Sequence, residues 1–92
     1  MAEYVFVKPY VFEGKTYEKI EFDLEGLKGS DISAVKKQWS ASGNNSPLPV
    51  ADSDFCAMIV ARLIKQPFEF MMEMPGKDYN RITMQVMNFL LA

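Results

Sequence analysis

Residues 3–24 read EYVFVKPYVFEGKTYEKIEFDL, and the fold depends on this stretch. Both halves are rich in aromatic and β-branched residues, which favour strands. Between the halves, Gly14 can adopt the positive φ angle that a tight turn requires. After the turn, Ile20, Phe22 and Leu24 alternate with charged residues, which indicates one buried and one solvated face. The stretch therefore predicts an N-terminal β-hairpin.

Two residues do not fit a regular hairpin ladder. Pro9 has no N–H to donate, so the first strand should be an edge strand or contain a bulge at this position. Tyr17 has the opposite parity to Ile20, which predicts either a bulge or a half-exposed ring. Because an isolated hairpin is only marginally stable, the rest of the chain must cover its apolar face.

The remainder of the chain predicts helices at about residues 30–41, 52–65, 67–73 and 78–91. The residues between 40 and 49 are mostly small, polar or proline, and they predict a loop. The expected fold class is α+β, with the N-terminal β-hairpin packed on a small bundle of three main helices. All 92 residues form one domain in this prediction.

The ends and faces of these helices can also be predicted. Ser30 or Asp31 is the expected N-cap of the first helix, and Asp78 that of the last. Phe55–Ile64 is apolar nearly all round, which predicts a central buried helix. The last helix has one apolar face for the core, formed by Tyr79, Ile82, Val86, Phe89 and Leu90. It has a second apolar face, formed by Met84, Met87 and Leu91.

The composition argues against several classes of function. A net charge of −2 and scattered basic residues do not give the basic face that nucleic-acid binding needs. The chain has no histidine and one cysteine, so His and Cys cannot form a structural zinc site. No apolar run approaches the roughly 20 residues that span a bilayer, and no signal peptide is recognisable. We therefore expect an intracellular protein without metal, cofactor, nucleic-acid or membrane partner.

Few residues could support catalysis. Cys56 lies in the most apolar segment, where a thiol is normally buried and unreactive. Glu69 and Glu73 are four residues apart and could form a carboxylate pair, but such a pair is more often a solvated helix face. We predict no catalytic residue and expect that the chain is not an enzyme.

Methionine is the unusual feature of the composition. Five of the seven methionines lie between residues 71 and 87. Met is flexible and polarizable, which suits a surface that accepts a partner helix, although the same residues could fill gaps in a small core. The predicted protein-binding residues are Phe70, Met71, Met72, Met74, Met84, Met87 and Leu91. The edge of the first strand is a second candidate, by strand addition.

The order of motifs resembles the tail assembly chaperones of tailed phages and prophages. Residues 9–17 match the P-x-x-F-x-G-K-x-Y hairpin with which that family commonly begins, and residues 20–23 continue as an alternating strand. Residues 24–32 resemble the family's entry into its first helix. Residues 67–71 and 74–90 resemble its last third, so the similarity spans nearly the whole chain.

The resemblance implies a non-catalytic role in tail morphogenesis. Members of the family bind the tape measure protein, keep its apolar helices from aggregating and recruit tail tube subunits. The implied location is the host bacterial cytoplasm, with no copy in the mature virion. A longer form made by ribosomal frameshifting is common in the family, and this chain would then be the short form. Self-association is expected at high concentration.

Two other functions stay open at this point. The first is a minor structural tail or connector protein of the virion, because such proteins also combine a hairpin with helices. The second is a small regulatory binding protein, which would need a recognition face with one sign of charge. The scattered charges of this sequence do not offer such a face.

Overall fold

A computed structural model describes residues 2–43 and 52–91, so residues 44–49 of the predicted loop lie outside the described residues. The elements are β1 (Ala2–Phe12), β2 (Lys15–Phe22), α1 (Gly29–Ala41), α2 (Ser53–Ile64), α3 (Phe68–Met72) and α4 (Gly76–Leu91). β1 and β2 form an antiparallel two-stranded sheet that packs on the helices. The predicted α+β fold class is confirmed.

The hairpin turn consists of Glu13 and Gly14, whose φ angles of 49° and 78° are both positive. Two consecutive positive φ angles match the twist of the flanking strands, which is why glycine is favoured here. The pairing of β1 with β2 shifts between Val5 and Tyr10, where Pro9 interrupts the strand. The predicted irregularity at Pro9 is thus confirmed.

The inner face of the hairpin is covered mainly by α2 and α3. Its buried side chains are Phe6, Tyr10, Phe12, Ile20 and Phe22. Phe70 of α3 stands edge-on to Tyr10, Phe12 and Tyr17, with ring centroids 5.2, 5.2 and 5.0 Å away. The Tyr17 ring is half-buried, as one of the two predicted alternatives requires. The hairpin is therefore held to the helices by an aromatic cluster centred on α3.

The central helix is α2, as predicted. All seven residues from Phe55 to Ala61 are buried, and α2 contacts β2 and each of the other helices. At its N-terminus the Asp52 side chain accepts a hydrogen bond from the Asp54 N–H at 2.9 Å. At its C-terminus Lys65 has a left-handed conformation, with φ 58°. The helix is thus capped at both ends, and its side chains form the middle of the core.

Two predicted N-caps are wrong. α1 begins at Gly29, and the carboxylate of Asp31 accepts a hydrogen bond from the Lys28 N–H at 3.0 Å from inside the first turn. α4 begins at Gly76, two residues before Asp78. The Asp78 side chain is 1% exposed and accepts hydrogen bonds from β1, so a tertiary contact replaces the expected local cap.

Candidate protein-binding surface

Three of the seven predicted binding residues are buried in the core. Phe70 and Met71 are fully buried, and Met74 is 5% exposed. α3 is only five residues long, and the hairpin and α2 cover its apolar side. The prediction that Phe70, Met71 and Met74 form a contact surface is therefore wrong, because a partner cannot reach them without unfolding α3.

The other four predicted residues are accessible. Met84 is 56% exposed, Leu91 52% and Met72 45%, while Met87 is half-buried at the edge of the core. Met72 lies on α3 and the other three lie on α4. The structure thus separates the predicted set into a buried part, an isolated methionine on α3, and a group on α4.

The group on α4 forms a continuous row. Met84, Met87 and Leu91 are spaced i, i+3 and i+7, which puts them on one side of an α-helix. Ile82, Thr83 and Val86 are buried on the opposite side against the core. We call Met84, Met87 and Leu91 the α4 stripe. It is the second apolar face that the sequence predicts.

The first apolar face of α4 differs from the prediction at one residue. Ile82 and Val86 are buried, and Tyr79 and Leu90 are half-buried, but Phe89 is 41% exposed. Phe89 borders an open groove of about 340 Å³, whose other walls are Ala2, Leu24, Glu25 and Gln85. Phe89 is exposed because no described side chain fills this groove.

The start of α4 is fixed to β1 by Asp78. Its Oδ1 accepts a hydrogen bond from the Tyr4 hydroxyl and a second from the Val7 N–H at 3.2 Å. Burial, and then the hydrogen bond to Asp78, raises the pKa of Tyr4. One N–H of β1 is therefore already occupied, and Pro9 has none. The edge of β1 is the second predicted binding site. A strand added there would find two fewer backbone N–H donors for this reason.

The outer face of the hairpin is an apolar surface that the sequence reasoning missed. Val5, Val7 and Val11 are 62%, 56% and 62% exposed. Next to Val5, Lys19 lies 3.3 Å from both Glu3 and Glu21, and these hydrogen bonds raise the lysine pKa. The alternation of valine with aromatic residues in β1 was the available signal, because it puts valine on the face opposite the core.

Of the residues considered for catalysis, Cys56 is buried in α2, and Glu69 and Glu73 are exposed. Burial raises the pKa of the Cys56 thiol to about 11, with a smaller effect from Asp52. Glu69 and Glu73 are exposed at opposite ends of α3. Burial, and then the hydrogen bond that its hydroxyl donates to Asp54, raises the pKa of Tyr79. Within residues 2–43 and 52–91, no group of three or more acidic, cysteine or histidine side chains could hold a metal ion.

None of the helices in the described part of the chain is long and apolar enough to cross a membrane. Comparisons of this chain with known protein families, with curated proteins and with solved structures find no match. The features of the described surface that bear on function are the α4 stripe and the exposed valines of the hairpin.

Proposed function

We propose that this chain is a non-catalytic tail assembly chaperone of the tailed-phage type. In this proposal it binds the tape measure protein in the host cytoplasm and helps to recruit tail tube subunits. The observation that carries the proposal is the α4 stripe, in which Met84 and Leu91 are more than half exposed on a helix whose other side forms the core.

A row of flexible apolar side chains on a fixed helix suits a helical partner. Residues spaced i, i+3 and i+7 fit the apolar face of a second helix, and methionine can adapt to different partner side chains. The family resemblance implies such a partner, because a tape measure protein has apolar helices that need protection before assembly. The stripe and the resemblance thus point to the same class of ligand.

The size of the stripe favours a reversible contact. Covering the exposed halves of Met84 and Leu91 would contribute roughly 1–2 kcal/mol each. Association costs about 4–15 kcal/mol in lost translational and rotational freedom, so the stripe alone cannot hold a partner tightly. A chaperone must release its client when the tail assembles, and a weak contact repeated along a long client meets that requirement.

Recruitment of a second protein requires a second surface. Val5 and Val11 on the outer face of the hairpin provide one on an element other than α4. We propose that tail tube subunits contact this face while the tape measure protein occupies the α4 stripe. A small domain with two separate apolar surfaces can in this way bring two partners together.

The test is co-expression of the chain with the tape measure protein of the same phage or prophage. We expect the tape measure protein to become soluble and to co-elute with the chain in size exclusion with light scattering. Met84→Lys combined with Leu91→Lys should abolish co-elution, because both charges would have to be buried in the contact.

The matched control is Val5→Lys combined with Val11→Lys, which introduces the same two charges at similarly exposed apolar residues on the hairpin. This variant should keep the tape measure protein soluble. Equal loss of binding in both variants, or a tape measure protein that stays insoluble with the unchanged chain, would count against the proposal.

The alternative function is a minor structural tail or connector protein of the virion. The exposed valines of the hairpin favour it, since such a face can be covered permanently in an assembled particle. Mass spectrometry of purified virions separates the two functions. A structural protein is retained at a fixed copy number, whereas a chaperone is absent.

A further inference from the structure

The exposed charges of α4 are all positive. Lys77 and Arg81 are exposed, while Asp78, the only acidic residue of the helix, is 1% exposed and bonded to β1. The α4 stripe is therefore bordered at its N-terminal end by positive charge only. This arrangement is unusual in a chain whose net charge is −2.

A second lysine lies at the same end of α4. Lys8 of β1 and Lys77 both border a small groove of about 170 Å³, together with Val7, Pro75 and Asp78. Neither lysine forms an ion pair within the described parts of the chain, where the ion pairs involve Lys19 and Arg62. The groove thus lies between two lysines, and its walls also include Val7, Pro75 and the buried Asp78.

Lys77, which borders this groove, lies on the same side of α4 as the stripe. Lys77, Met84 and Leu91 are spaced by seven residues, which is close to two helical turns, so they project from neighbouring positions. At 1.5 Å per residue the row from Lys77 to Leu91 is about 21 Å long. A partner helix of about fifteen residues could contact all of it.

We propose that the ligand of this surface is an amphipathic helix with carboxylates at one end of its apolar face. The apolar residues would cover Met84, Met87 and Leu91, and the carboxylates would meet Lys8 and Lys77. The inference depends on the proposed function, since it assumes that the α4 stripe binds a protein, and it specifies the chemistry of the bound segment.

The α4 helix of a second copy does not supply such a segment. This helix has no exposed carboxylate, so two α4 helices packed on each other would leave both pairs of lysines without opposite charges. A neutral apolar helix would leave the same lysines without partners at the edge of the contact. Charge complementarity therefore favours an acidic amphipathic helix over both.

The experiment compares two synthetic helical peptides of about fifteen residues. Both have the same leucine and methionine stripe, and three residues at one end are Glu in the first peptide and Lys in the second. Binding to the full chain is measured by fluorescence anisotropy at low salt. We expect the acidic peptide to bind about tenfold more tightly, from two or three exposed ion pairs, and to lose most of that advantage at high salt.

The protein variant that tests the surface is Lys8→Glu combined with Lys77→Glu. This variant should bind the acidic peptide about tenfold more weakly and the basic peptide more tightly. The matched control is Lys36→Glu combined with Lys37→Glu on α1, two exposed lysines with the same change in net charge. This control should leave the ratio of the two affinities unchanged. If the charge reversal prevents folding, Lys8→Gln with Lys77→Gln gives the same test with an effect of about threefold.

Two results would overturn the inference: equal binding of the two peptides, or a control variant that changes the ratio of the affinities as much as the test variant does. A tape measure protein that does not bind, with the peptides behaving as expected, would refute the proposed function alone. A tape measure protein that binds, with peptides that bind equally, would refute the inference alone.

Discussion

Asp78 shows how one side chain can fix the relation between two elements. A buried carboxylate is costly unless hydrogen bonds compensate for its lost hydration. Here the Tyr4 hydroxyl and the Val7 N–H supply two, and both come from β1. The bonds hold the first turn of α4 against the hairpin, and so they fix the position from which the α4 stripe projects.

We predict that Asp78→Ala destabilises the protein by about 2–4 kcal/mol, because two partly buried hydrogen bonds from β1 to a carboxylate are lost. Asp78→Asn should cost less, since its amide oxygen can still accept one bond. The measurement is the free energy of unfolding in urea. Glu69→Ala, at an exposed residue, is the control and should change stability by less than about 0.5 kcal/mol. A loss below about 1 kcal/mol for Asp78→Ala would contradict this role.

Helix ends show which side-chain interactions can be predicted from the sequence and which cannot. Asp52 caps α2 as its position indicates, because the interaction is local and joins it to Asp54. Asp78 has the same local pattern, but its partners are more than 70 residues away in the chain. A single sequence contains no sign of such partners. The prediction of helices and hairpin was therefore accurate to a few residues, whereas the role of this aspartate was missed.

The methionines show the same limit for the candidate surface. On α4, sixteen residues give enough periodicity to separate two apolar faces, and the structure exposes Met84 and Leu91 of the second face. α3 has five residues, fewer than two turns, so periodicity cannot tell which side is covered. Met71 and Met74 are core residues and Met72 is not, and this outcome depends on where the hairpin packs.

The C-terminus of α2 allows a test at the level of the element. The Gln66 N–H donates to the Ala61 carbonyl at 3.0 Å and the Lys65 N–H to that of Arg62 at 3.3 Å, which is the Schellman pattern. The residue in the left-handed conformation is Lys65, although glycine adopts this conformation more readily. We predict that Lys65→Gly stabilises the protein by about 0.5–1 kcal/mol.

Thermal and urea unfolding of the Lys65→Gly variant would measure this gain. Lys65→Ala is the matched control, because it removes the same charge and retains the Cβ atom that strains a left-handed residue. It should leave stability unchanged or slightly lower. Equal effects of the two substitutions would show that the charge of Lys65, and not its backbone conformation, determines the result.

At the scale of the whole molecule, residues 2–43 and 52–91 present two exposed apolar surfaces, the α4 stripe and the hairpin valines. The Cα radius of gyration of 12.7 Å is close to the roughly 12 Å expected for a compact domain of this length. Met87 packs against the core, whereas Met84, Leu91 and the hairpin valines are more than half exposed. Either surface could support contacts between molecules.

We predict that the chain self-associates weakly through the outer face of the hairpin. The outer face of the hairpin exposes the β-branched side chains of Val5, Val7 and Val11. Such a face suits the face-to-face packing of two sheets. Three valines fall well short of the roughly 800 Å² per partner of a stable complex, so association should reverse on dilution. Small-angle scattering should give a radius of gyration that rises with concentration. Val5→Thr with Val11→Thr should suppress the rise, and Met72→Thr on α3 should not. A constant radius up to millimolar concentration would contradict this prediction.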